Sequence, residues 1–135
     1  MMIRFRTEID IEPLPHRIGY RSSILSLGSC FAQSMSRRLE RLKFDCCSSP
    51  TGILFNPASI ASALDMLASR HFIAADGLQR SGDVWFSYDF HSSFSHVDRD
   101  IAAEGMRQAV ERGADALQRC DWAIITLGTA WEYRL

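Results

Sequence analysis

Two periods of apolar residues alternate along the chain and outline its secondary structure. Residues 3–11 (IRFRTEIDI) alternate with a period of two and predict a short edge strand. Residues 23–27 (SILSL) and 44–47 (FDCC) predict two further strands, and residues 83–90 (DVWFSYDF) predict an additional one. Residues 122–127 (WAIITL) are almost continuously apolar, which is typical of a strand in the buried middle of a parallel sheet.

Three segments have the spacing of amphipathic helices. The first follows the turn Gly28–Ser29–Cys30, and its predicted core positions are Phe31, Met35, Leu39 and Leu42. The second runs to about residue 69, with Asn56 as N-cap and Pro57 in the first helical position. Its predicted core positions are Ile60, Leu64 and Leu67. The third starts after Asp98 and runs to about residue 119, and its predicted core positions are Ile101, Met106, Val110, Ala114 and Leu117.

This order of strands and helices predicts an α/β fold with a mainly parallel sheet. Only three core strands are predicted, and no helix follows the last one to cover it. Parallel sheets are covered on both faces. We therefore expect residues 1–135 to be the N-terminal part of a domain whose sheet is completed by a further segment, a partner chain or a second copy.

Composition and charge narrow the class of protein. The net charge is −1 at pH 7, so nothing favours nucleic acid or an anionic membrane as partner. The N-terminus lacks the apolar core of a secretory signal, and no apolar run approaches the roughly 20 residues of a membrane helix. Neither a nucleic-acid nor a membrane partner is expected.

The four cysteines do not form a recognisable framework. They are Cys30, Cys46, Cys47 and Cys120. Their spacing contains no CxxC pair and fits neither a disulfide scaffold nor a zinc site, so we expect reduced thiols in a cytoplasmic protein. His91 and His96 lie close together but have no third ligand nearby in the sequence, so no metal or other cofactor is expected.

The Gly-Ser-Cys turn is the most informative feature for chemistry. It follows the first core strand, and Gly128–Thr129–Ala130 follows the last, so both turns are expected at the same edge of a parallel sheet, where ligands bind. Cys30 stands where a helix begins, and the positive end of the helix dipole stabilises a thiolate nucleophile. The alternative is structural: cysteine often only packs, and Ser29 before a helix is an ordinary cap.

Four ordered motifs identify a family resemblance. They are LGSCFA at 27–32, GILFNPASIASAL at 52–64, WFSYDFHSSFS at 85–95 and IITLGTAWEY at 124–133. With these motifs the chain resembles the GSCFA domain family over almost its whole length. That family in turn resembles the SGNH (GDSL-type) hydrolases, which implies a flavodoxin-like, three-layer α/β/α fold.

The resemblance also implies roles for residues in the turns. Cys30, after Gly28 and Ser29, falls at the nucleophile position, and Ser29 is the alternative nucleophile. Gly52 corresponds best to the glycine whose N–H helps to form the oxyanion hole. Gly128, Thr129 and Ala130 stand where the hydrolases have Gly-x-Asn, so Ala130 replaces an oxyanion-binding amide. Asn56 or the Ser29 side chain is expected to compensate.

The general base is the least determined role. The Asp and His block of the hydrolases lies beyond residue 135, and His91 is the preferred base among the histidines of this chain, the others being His16, His71 and His96. A loop histidine with a structural role is the alternative. Trp131 follows the last strand and is placed to stack on a sugar or an acyl group.

The resemblance therefore implies an acyl hydrolase or acyltransferase that acts on an ester through Cys30. A small-molecule or carbohydrate ester is the implied substrate. Two alternatives stay open: a non-catalytic domain that binds a glycan or acyl ligand, which the replacement by Ala130 favours, and an inactive fragment without independent function.

Overall fold

The structure is a computed structural model that describes residues 7–132. Its strands are β1 (Ser23–Gly28), β2 (Asp45–Ser48), β3 (Gln79–Ser81), β4 (Val84–Phe86) and β5 (Trp122–Thr126). Its α-helices are α1 (Cys30–Arg41), α2 (Pro57–Ser69) and α3 (Arg99–Arg119). Short 3₁₀ turns cover Ala75–Gly77 and Ser92–Phe94.

A three-stranded parallel sheet in the order β2-β1-β5 forms the centre of the fold. The chain moves from β1 to β2 on one side and later places β5 on the other side of β1. This reversal creates a topological switch point between the carboxyl ends of β1 and β5. β3 and β4 form a separate antiparallel hairpin.

Helices cover both faces of β1, as the predicted three-layer α/β/α fold requires. On one face, Leu25 and Leu27 pack with Ala116 of α3 and with Leu64 of α2. On the other face lies α1, which contacts both β1 and β2 and buries its Ala32 and Ser36. The arrangement is compatible with part of a flavodoxin-like fold, with β1 as its central strand.

The predicted helix caps are confirmed. Asn56 Oδ1 accepts a hydrogen bond from the Ser59 N–H at 2.8 Å, and Pro57 occupies the first turn of α2. Asp98 Oδ1 accepts from the N–H groups of Asp100 and Ile101 at the start of α3. Most predicted core positions of these two helices are buried or half-buried, but Ile101 is exposed because the first turn of α3 presents the neighbouring Ala102 to the core instead.

The predicted core stripe of α1 is wrong. Phe31, Met35 and Leu42 are exposed, Leu39 is half-buried, and the buried residues of the helix are Ala32 and Ser36. These small side chains face a sheet surface that carries Ser26, so the helix packs close to the sheet through its small residues.

Three strand predictions need correction. β5 is an edge strand of the described sheet rather than a central one, and its Ile125 side chain is 48% exposed. The segment predicted as one strand over 83–90 forms only β4, because the chain turns after Phe86, where the Phe90 N–H donates to the Ser87 carbonyl oxygen at 3.3 Å. Residues 7–11 are exposed and form no strand, while residues 3–6 lie outside the described part of the chain.

No helix among the described residues combines the length and apolar character needed to span a bilayer.

The half-buried thiols of β2 predict a loss of stability at alkaline pH. Burial raises the pKa of both Cys46 and Cys47 above the ordinary value near 9. Above that pH the unfolded chain releases thiol protons that the folded chain keeps, so the free energy of unfolding falls as pH rises. Urea titrations between pH 7 and 10, in reductant, should show this fall, and it should be smaller in a Cys46→Ala, Cys47→Ala double variant. An equal fall in the double variant would contradict the assignment.

Gly28 is predicted to be irreplaceable for stability. Its φ is +135°, and a Cβ there would lie 2.1 Å from the Thr126 carbonyl oxygen. Gly28→Ala should therefore lower the free energy of unfolding by about 2–4 kcal/mol through backbone strain and overpacking. The matched control is Gly105→Ala in α3, where a Cβ meets nothing within 4 Å. That control should stabilise the protein by about 0.5–1 kcal/mol, and a similar effect of both substitutions in chemical denaturation would refute the packing argument.

Candidate functional site

The candidate site lies at the carboxyl ends of the paired strands β1 and β5, next to the last pair of their register, Gly28 and Thr126. The Ser29 N–H donates to the Thr126 carbonyl oxygen at 3.2 Å and lies 3.1 Å from Thr126 Oγ1. Gly28 allows this approach because it lacks a Cβ. The contact brings the start of α1 directly onto the switch point.

Ser29 and Cys30 have opposite environments in this turn. Ser29 is 7% exposed, and its hydroxyl lies 3.1 Å from the Thr126 hydroxyl, within hydrogen-bonding distance. Cys30 is an exposed free thiol in the first turn of α1. Of the two predicted nucleophiles, Cys30 is therefore the one that solvent or a substrate reaches.

The first turn of α1 presents unpaired backbone donors. Ser29 is the N-cap, but its side chain does not cap the helix because it faces Thr126. The backbone N–H groups of Cys30, Phe31 and Ala32 accordingly have no acceptor within residues 7–132. Such groups carry the positive end of the helix dipole and are suited to bind an oxyanion next to the thiol.

The loop 49–56 joins both turns of the site. The Leu54 N–H donates to the Gly28 carbonyl oxygen at 2.8 Å. The Phe55 carbonyl oxygen accepts from the N–H groups of Gly128 and Thr129 at 2.8 and 2.9 Å. The structure thus brings together the predicted residues of three separate motifs.

Several of the predicted oxyanion donors are engaged in these contacts. The Gly52 N–H donates to the Ser49 carbonyl oxygen at 2.8 Å, and the N–H groups of Gly128 and Thr129 are bound by Phe55. Asn56 uses its side-chain oxygen to cap α2. In this arrangement the backbone donors left at the thiol are those of α1.

His91 is held against Gly52. Its N–H donates to the Thr51 carbonyl oxygen at 3.0 Å, and a Cβ on Gly52 would lie 2.2 Å from the His91 Cβ. Nδ1 of His91 accepts a hydrogen bond from the Ser93 N–H at 3.2 Å. His91 therefore belongs to the loop network of the site, while the structure leaves His16 and His71 exposed and pairs the backbone of His96 with Trp85.

A cavity of about 410 Å³ adjoins the loop 49–56, and the sequence did not indicate it. Its lining residues are Leu54, Asn56, Ala58, Ser59, Ser62, Ala63, Tyr88, Asp89 and Glu132. Tyr88 and Asp89 were missed because the segment 83–90 has the pattern of a strand. Trp131, predicted to stack on a ligand, is 82% exposed, and its N–H donates to Thr129 Oγ1 at 3.1 Å.

The remaining thiols differ from Cys30. Cys46, Cys47 and Cys120 are half-buried, and all four cysteines are free. Burial raises the pKa of Cys46 and Cys47, which disfavours their thiolates. Within residues 7–132 no group of three or more His, Cys, Asp or Glu side chains is arranged to hold a metal ion.

Comparison with known proteins gives one match. Searches of curated proteins and of solved structures found none. The model of the GSCFA family matches residues 23–135, which include every turn of the candidate site. Since this match covers most of the chain, the protein belongs to the GSCFA family.

Proposed function

We propose that this protein is an acyl hydrolase or acyltransferase domain, similar to the SGNH hydrolases, with Cys30 as its nucleophile. The observation that carries the proposal is the first turn of α1. An exposed thiol stands there beside unpaired backbone N–H groups, at the switch point of a parallel sheet. Ser29, the competing nucleophile, is buried.

The proposed reaction has two steps. The Cys30 thiol gives its proton to a solvent base, Sγ attacks the ester carbonyl carbon to form an S–C bond, and the carbonyl π electrons move to the oxygen. The carbonyl then re-forms as the C–O bond to the alcohol breaks, and the departing alkoxide takes up a proton and leaves as the alcohol, with an acyl thioester on Cys30. Water, or a second alcohol in a transferase, attacks the thioester carbon, the S–C bond breaks, the acid or the new ester leaves, and a proton restores the thiol. The N–H groups of Cys30, Phe31 and Ala32 stabilise the charge on the oxygen in both steps.

The cavity beside the loop 49–56 is the proposed place for the alcohol part of the ester. Hydroxyl, amide and carboxylate groups line it together with Tyr88, and none of its lining residues in the described part of the chain is Lys, Arg or His. Such a lining favours a neutral, hydroxyl-rich group, in agreement with a carbohydrate O-acyl ester, over a phosphorylated one.

Two further assignments belong to this proposal. The exposed side of β5, with Ile125 and Leu127, is covered by a further segment, a partner chain or a second copy, because a parallel sheet is ordinarily covered on both faces. Residues 1–135 then form the N-terminal part of the domain. The free state of all four thiols supports a reducing, cytoplasmic location.

Removal of the Cys30 thiol tests the nucleophile. With p-nitrophenyl acetate as substrate, Cys30→Ala should lower turnover by about 10²-fold or more, because covalent catalysis is lost. The matched control is Cys120→Ala, a half-buried thiol packed against the Leu25–Leu27 core, which should keep its activity. Turnover that survives Cys30→Ala but is lost in Ser29→Ala would show that Ser29, and not Cys30, is the nucleophile.

A second function, ligand binding without chemistry, is favoured by one observation. The cavity is lined by both polar and apolar side chains, but neither Ser29 nor Cys30 is among its lining residues. A domain of this kind should bind neutral oligosaccharides equally well before and after Cys30→Ala, and lose binding in Asp89→Ala. Isothermal titration calorimetry with both variants distinguishes the two functions, since ester turnover by the native chain would reject the purely binding one.

A further inference from the structure

The hydrogen bonds of His91 determine which of its ring nitrogens carries the proton. The backbone N–H of Ser93 points at Nδ1 at 3.2 Å, and the Ser93 hydroxyl lies 3.1 Å from the same nitrogen. A backbone N–H can only donate, so Nδ1 must accept. In the neutral imidazole the proton then resides on Nε2.

This tautomer is the wrong one for a general base. A histidine that removes a proton through Nε2 needs its own proton on Nδ1, held by a carbonyl or carboxylate. In His91 the polarity is reversed, because Nδ1 receives a hydrogen bond and Nε2–H is a donor. The expected role of His91 as base therefore conflicts with the hydrogen bonds around it.

We propose that His91 is a side-chain hydrogen-bond donor to the oxyanion through Nε2–H, in place of the amide that Ala130 lacks. This inference rests on the proposed function, since it concerns the oxygen of the ester attacked by Cys30. His91 transfers no proton. The thiol proton of the exposed Cys30 goes to a base in the solvent, and the negative charge that develops on the carbonyl oxygen is bound by Nε2–H and by the first turn of α1.

The contacts of the loop 49–56 support this placement. His91 is fixed to that loop by its bond to Thr51 and by its packing on Gly52. Two residues later, Leu54 binds Gly28, which is two residues before Cys30. The N–H groups of Gly52, Gly128 and Thr129 are engaged elsewhere, so Nε2–H of His91 supplements the N–H groups of the first turn of α1.

The first measurement is the tautomer itself. The ¹⁵N chemical shifts of the imidazole nitrogens in the labelled chain should show a protonated Nε2 and an unprotonated Nδ1 for His91. A proton on Nδ1 of the neutral ring would overturn the proposal. His96 is an internal reference, because its Nδ1 accepts from the Asp98 N–H in the same way at 2.9 Å.

The second measurement uses an aldehyde adduct as a mimic of the tetrahedral intermediate. Propionaldehyde adds to Cys30: an S–C bond forms, the carbonyl π bond breaks, and the thiol proton ends on the new hydroxyl oxygen. His91→Ala should weaken this adduct about tenfold or more through the lost donor. His91→Gln should stay within about threefold of the native protein, because the glutamine amide donates but cannot act as a base. The control His96→Gln should leave the adduct unchanged.

Each other outcome has a separate meaning. Equal weakening by His91→Ala and His91→Gln would overturn the donor role. An unchanged adduct in both, with lower thermal stability, would show that His91 only caps the 3₁₀ turn Ser92–Phe94 and would also overturn it. Absence of any adduct at Cys30 in the native protein would instead reject the proposed function itself, and the role of His91 with it.

Discussion

The close contact between Gly28 and Thr126 is the constraint on which the candidate site depends. The carbonyl oxygen of Thr126 occupies the space that a side chain at position 28 would need, so β1 and β5 meet without any intervening atoms. This approach buries Ser29 and pairs its N–H and hydroxyl with Thr126. The next residue, Cys30, is consequently turned to the outside. A backbone contact two residues earlier thus decides which of two adjacent nucleophilic side chains is accessible.

The loop 49–56 adds rigidity to this junction and uses many of its hydrogen-bond donors. Its bonds to Ser26, Gly28 and Gly128 connect the loop to β1 and to the segment after β5. The bond to Gly128 and the bond from the Gly52 N–H to Ser49 within the loop engage N–H groups that the family resemblance implies for the site. Because the junction engages these donors, the reaction proposed above assigns stabilisation of the developing charge to the first turn of α1 and to side chains. In that proposal the tautomer of His91 decides whether its ring can donate to the oxygen.

The sequence predicts the layers of the fold better than the order of the strands within the sheet. Periodicity identifies all three helices and the strands of the parallel sheet, and the caps Asn56 and Asp98 are chemically unambiguous. It does not reveal which strand lies at an edge, because an apolar run such as residues 122–127 has the same appearance in either position. The meeting of the Gly28 and Gly128 turns follows from parallel topology alone. Two other features depend on the geometry of local turns, which hydrophobic periodicity does not reveal. They are the bond of the Gly52 N–H to Ser49 and the acceptor role of His91 Nδ1.

The packing of α1 explains why the sequence misleads about that helix. Ser26 and its β2 neighbour Ser48 lie in register, and the hydroxyls of both are buried without a hydrogen-bond partner among the described residues. An unpaired buried hydroxyl costs about 1–3 kcal/mol, whereas a larger apolar side chain would push the helix away from the sheet. Ala32 and Ser36 of α1 complete this layer of small residues. Because the helix is held close to the sheet, its larger apolar residues point outward, and Phe31, directly after the thiol, is 62% exposed. The apolar surface beside Cys30 is thus a consequence of the close packing of α1 against the sheet. The same packing places at the switch point the first-turn N–H groups that have no acceptor among the described residues.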